Sequence, residues 1–89
     1  MSIKIEKPSA AELAQRGVKD WPIWEKAVSR FDWHYDQIEE CYLLEGQVVV
    51  ETADGQRVTF GRGDFVTFPK DLSCVWDIKT AVKKHYNFR

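Results

Sequence analysis

The segment from Cys41 to Phe60, CYLLEGQVVVETADGQRVTF, constrains the fold more than any other part of the chain. Val48–Val50 and Arg57–Phe60 are rich in β-branched and aromatic residues, and Asp54-Gly55 between them is the strongest two-residue hairpin signal in the sequence. An antiparallel pair is therefore expected, with VVVET running into RVTF. Glu45-Gly46 hinges the run before it into two pieces. Further strand-like runs are punctuated by turns. IWEKAV and RFDWHY precede the hairpin, while FVTF, SCVWDI and AVKKHYNF follow Gly61-Arg62-Gly63-Asp64 and Pro69-Lys70-Asp71. Spacing of this kind predicts about eight to ten short strands in an all-β barrel or sandwich. No βαβ alternation points to a parallel sheet. The one helical segment is Ser9 to Val18, with Ser9 as cap, Glu12 completing a capping box and Gly17 as stop.

At 89 residues the chain is one domain's worth, with a helical or extended segment over about 1–20 and a barrel over about 21–89. A chain of this size buries roughly 60–65% of the surface its unfolded form exposes, so its core is thin. No stretch approaches the ~20 apolar residues that span a bilayer. The opening MSIKIEKPSA lacks the apolar centre of a secretory signal, so a cytoplasmic protein is expected. The net charge of −1 offers nothing to nucleic acid or anionic lipid. Its distribution is uneven: 31–56 has no Lys or Arg but contains Asp32, Asp36, Glu39, Glu40, Glu45, Glu51 and Asp54. That run reads as a solvated acidic face or as a holder of a cation. Cys41 and Cys74 sit in apolar strand-like runs and read as free thiols, since two cysteines make no disulfide framework.

The densest chemistry lies in DWHYDQIE, residues 32–39. Alternation along a strand puts Asp32 and His34 on one face and Trp33 and Tyr35 on the other. A short turn near Asp36-Gln37 then brings Glu39, on the face of Cys41 and Leu43, toward Asp32 and His34. One imidazole and two carboxylates suit a divalent first-row metal. Cys74 shares a face with Trp76; its thiolate completes a four-ligand site, or its thiol packs in the core.

These spacings resemble the cupin motifs. Glu39, six residues and Gly46 follow the first motif, with His34 at its second histidine and four residues between it and Glu39. Gly63, five residues and Pro69 follow the second, with Cys74 at its histidine and Asp71 at its second glycine. Over about Trp21 to Phe88 the chain is similar to the small single-domain cupins related to ureidoglycine aminohydrolase and ethanolamine-utilisation protein Q. The resemblance implies a small jelly-roll barrel, usually dimeric, with a metal or small molecule in its mouth. It implies the ligand set Asp32, His34, Glu39 and Cys74, with Asp32 and Cys74 replacing two histidines.

Two functions follow as expectations. One is a metal-dependent enzyme acting on a small polar metabolite, hydrolase- or aminohydrolase-like or oxygenase-like, with zinc, iron, manganese, nickel or copper and no organic cofactor. The other is a non-catalytic binding or interaction cupin with a degenerate metal site. A metal-free isomerase built on His34, Asp32 and Tyr35 or Tyr42 ranks third, because both tyrosines have the opposite strand parity to the candidate ligands. A homodimer is expected, covering a strand edge. Trp21, Trp24, Trp33 and Trp76 are read as packing residues, or as stacking groups at the barrel mouth. His85 is read as a strand-edge hydrogen-bonding residue, and Lys83 and Lys84 as surface charges.

Overall fold

A computed structural model describes residues 2–89. Seven antiparallel strands are present among them: β1 (Lys4–Glu6), β2 (Ile23–Lys26), β3 (Ser29–His34), β4 (Glu39–Thr52), β5 (Arg57–Gly61), β6 (Phe65–Phe68) and β7 (Ser73–Phe88). One α-helix, α1 (Ala10–Arg16), and a single 3-10 turn at Val18–Asp20 lie between β1 and β2. Ser9 caps α1, with a reciprocal capping box to Glu12 and Gly17 closing the end in the left-handed conformation at φ 71°. No described helix is long and apolar enough to cross a membrane.

The all-β expectation holds, but the strand count is seven rather than eight to ten. The difference lies in β4 and β7, of 14 and 16 residues, which bend where the sequence suggested breaks. They pair along nearly their whole length, with register shifts between Leu43 and Val48. Gly46 is the hinge. It adopts φ +105°, and a Cβ there would stand 2.6 Å from the Ala81 carbonyl oxygen, so only glycine allows the two bent strands to approach this closely. One half of the β4–β7 ribbon is flanked by β6 and β2, with β1 beyond β6; the other is flanked by β5 and β3.

The VVVET–RVTF hairpin forms as expected, with Glu51 opposite Arg57. Asp71, at the second-motif glycine position, has a positive φ of 71°, the backbone conformation for which a glycine is the usual choice. Strand β1 has no counterpart in the sequence reading; it adds three residues beside β6.

The bend folds β4 and β7 around an interior lined by Cys41, Leu43, Val48, Val50, Cys74, Trp76, Ile78 and Val82, with Tyr35, Phe60, Val66, Phe68 and Leu72 filling the rest. Both cysteines are free and buried, as the sequence suggested.

Candidate functional site

Strand alternation divides the sequence-predicted site between two sides of the barrel wall. Strand β3 pairs with β7, His34 opposite Ser73 and Asp32 opposite Val75, and makes no ladder with β4. The turn after β3 therefore does not carry Asp32 and His34 onto Glu39. Both lie on the outer face in a shallow cleft that Glu51, Thr52, Ser73 and Cys74 also line. There His34 Nδ1 is 2.8 Å from Ser73 Oγ, and its Nε2 is 3.9 Å from Asp36. Glu39 faces inward and is 3% exposed. Cys74 is buried in the core, and burial, reinforced by the negative Glu39, pushes its thiol up to about 11. Among the described residues no three His, Cys, Asp or Glu side chains group so as to hold a metal ion.

What surrounds Glu39 is a different constellation. Lys84 Nζ donates to Glu39 Oε2 at 2.8 Å, and the Tyr35 hydroxyl donates to Oε1 at 2.8 Å. Trp76 Nε1 donates to the Tyr35 oxygen at 3.2 Å. Each oxygen of the carboxylate thus has its own donor, as a buried charge requires. Burial first, and then the adjacent Glu39 carboxylate, holds the Tyr35 phenol far above the ordinary tyrosine range, so it remains a donor. The Lys84 ammonium also lies over the faces of Trp24 and Trp76, 4.9 and 4.5 Å from the ring centroids.

These groups form the floor and one wall of a cavity of about 220 Å³. Phe31, Trp33, Tyr86 and Phe88 complete its lining. Trp24 meets Trp76 and Phe31 edge-on, while Phe31 and Trp76 stack at 15°. Trp33 and Phe88 are 46% and 39% exposed, although they line a pocket, and so mark its open side.

The cupin motifs imply a metal beside Glu39, and the residues present do not fit one. Both Glu39 oxygens are engaged, and Lys84 places a positive charge at 2.8 Å. Asp32, His34 and Cys74 line the outer cleft, yet among the described residues no three such side chains group so as to hold a metal ion.

Lys84, expected at the surface from the sequence, is only 5% exposed. Its parity was the available signal, since Lys84 alternates with Val82, Tyr86 and Phe88 on the apolar face of its strand. Tyr35 was discounted for its parity, and that parity is what aims it into the cavity. Three acids of the Lys- and Arg-free stretch are paired from outside it: Glu39 with Lys84, Glu40 with Arg89 and Glu51 with Arg30. His85 Nδ1 is 2.9 Å from the Trp21 carbonyl oxygen, a structural contact.

Known proteins share this arrangement of strands. A crystal structure of a DUF861 family protein from Thermotoga maritima matches with a TM-score of 0.97 at 52% identity, covering 99% of this chain and 100% of that one. A putative ethanolamine utilization protein Q from Salmonella typhimurium shares the fold at TM-score 0.67 and 24% identity, covering 74% of this chain and 53% of that one. The EutQ protein of Clostridium difficile does so at 0.68 and 21%, covering 74% and 52%. The chain thus spans about half the length of each EutQ protein. No curated protein matches it. The model of the EutQ-like cupin domain matches residues 13–86, most of the sequence. The chain belongs to the EutQ-like cupin domain family.

Proposed function

We propose that the chain is a small-molecule-binding cupin whose barrel mouth works without a metal, Lys84 supplying the positive charge beside Glu39. This is the binding-module reading rather than the metal-dependent enzyme that the motif spacing suggested. The observation that carries it is the buried Lys84–Glu39 pair, 2.8 Å apart, at the floor of an open-sided cavity with aromatic walls. A buried ion pair is weak as a source of stability compared with apolar packing, so its presence in a thin core favours a role in recognition. The cavity is smaller than the ~300–1,000 Å³ of typical small-molecule sites, which sets a ligand of fragment size.

The test is a fragment screen read by the indole N–H resonances of the four tryptophans. Fragments that bind the cavity shift Trp24, Trp33 and Trp76, whereas Trp21, which packs against Phe65, serves as the internal control. Adding zinc, iron(II) or manganese leaves this response unchanged. A screen in which no fragment moves the three cavity tryptophans, or in which binding requires added metal, contradicts the proposal.

A further inference from the structure

The cavity is built like a cage for an organic cation, with several aromatic rings around a carboxylate, except that the cation is already part of the chain. Lys84 holds its ammonium against Glu39 and over the faces of Trp24 and Trp76, the positions such a ligand's charge would take. We infer that Lys84 is the specificity-determining residue of this pocket, a tethered occupant that makes it select an uncharged ring compound of about one ring and reject cations and anions. The inference rests on the binding-module reading and deepens it.

Three observations lead to uncharged ligands. First, the floor carries one positive and one negative group in contact, so its net charge is zero. A ligand cation meets the Lys84 ammonium and a ligand anion meets the Glu39 carboxylate, and either gives up its hydration on entering. Second, the polar groups satisfy one another in a chain from Trp76 through Tyr35 to Glu39 and Lys84. No buried side-chain nitrogen or oxygen among the described residues lacks a partner. Nothing in the pocket is therefore waiting for a charged group to complete it. Third, the remaining lining is aromatic, which favours a flat body by stacking and edge contacts.

The experiment uses three one-ring probes that differ mainly in charge: benzyl alcohol, benzylammonium and benzoate. Each is titrated into the wild-type protein near neutral pH, and the Trp24, Trp33 and Trp76 indole N–H shifts are followed. The expected result is saturable binding of benzyl alcohol, with benzylammonium and benzoate each at least about tenfold weaker. Lys84→Met then frees the cage, and benzylammonium gains at least about tenfold and becomes the preferred probe. Because that variant leaves Glu39 without its cation, Glu39→Gln with Lys84→Met is measured beside it. The double variant shows no preference for benzylammonium over benzyl alcohol. Wild-type protein that binds benzylammonium or benzoate as well as benzyl alcohol overturns the selectivity while leaving the pocket reading standing. No saturable binding of any of the three overturns both. The wild-type comparison decides the matter even if Lys84→Met fails to fold.

Discussion

Strand β3 carries two potential sites on its two faces, and they differ in kind. Its outward residues, Asp32 and His34, are the ones chemistry draws the eye to, yet they are exposed and make the contacts of an ordinary surface. His34 reaches Ser73, and nearby Arg30 bridges Glu51 and Asp77. Its inward residues, Phe31 and Trp33, with Tyr35 just beyond its end, line the cavity whose floor is Glu39 and Lys84. The outer carboxylate and imidazole are exposed, whereas Tyr35, Glu39, Trp76 and Lys84 on the inner side are buried and joined by hydrogen bonds. The lesson is that metal-type residues become a site only when the pleat and the strand order aim them at a common point.

The contrast can be broken most forcefully at Lys84. Lys84→Met leaves the Glu39 carboxylate buried without its counter-ion, and the expected loss is about 3–5 kcal/mol. Pairing it with Glu39→Gln should recover much of that. Denaturant unfolding of the two singles and the double closes the cycle, and additive losses would show that the two groups are not coupled.

A smaller effect is expected from Tyr35→Phe. It removes the hydroxyl between Trp76 Nε1 and Glu39 Oε1, for a loss of about 1–3 kcal/mol by the same measurement. A neutral result would mean that the hydroxyl is not part of a connected interior.

Alkaline pH should weaken the interior before the surface. Burial pushes Cys41 up to about 12 and Cys74 up to about 11, whereas an unfolded thiol ionises near ~8.5. As pH rises the unfolded chain releases these protons first. The contribution is therefore complete below about pH 8.5 and is lost as pH climbs toward about 11–12. Tyr35 acts in the same direction. Denaturation midpoints are expected to fall between about pH 8 and pH 10.5, with a shallower slope in Cys74→Ala. A flat profile would place the thiols in water.

The smallest effects belong to the outer face. His34→Ala and Asp32→Ala should each change stability by less than about 0.5 kcal/mol and leave probe titrations at the cavity tryptophans unaltered. A large loss of binding in either variant would move the site to the outer cleft.

Much of the fold was legible because it is local. Asp54-Gly55 announced its hairpin, Ser9 with Glu12 and Gly17 bounded the helix, and the Glu39–Gly46 and Gly63–Pro69 spacings pointed to the barrel. The cavity was less legible because it depends on partners far apart in sequence. Lys84 reaches Glu39 across 45 positions, and Trp76 reaches Tyr35 across 41. The apolar parity of Phe31, Trp33 and Tyr35 marks the inward face of β3, but its pairing with β7 rather than β4 depends on residues about 40 positions away. Strand β1 escaped notice because three residues with a mostly exposed pattern carry no alternation to read.

We propose that the positive charge beside Glu39 belongs to Lys84 and not to a metal. Elemental analysis of tag-free protein, equilibrated with zinc, iron, manganese, nickel and copper and then dialysed, addresses it most directly. The expected result is metal far below one ion per chain, unchanged by Glu39→Gln. Near-stoichiometric metal in the wild type, lost in Glu39→Gln, would contradict it.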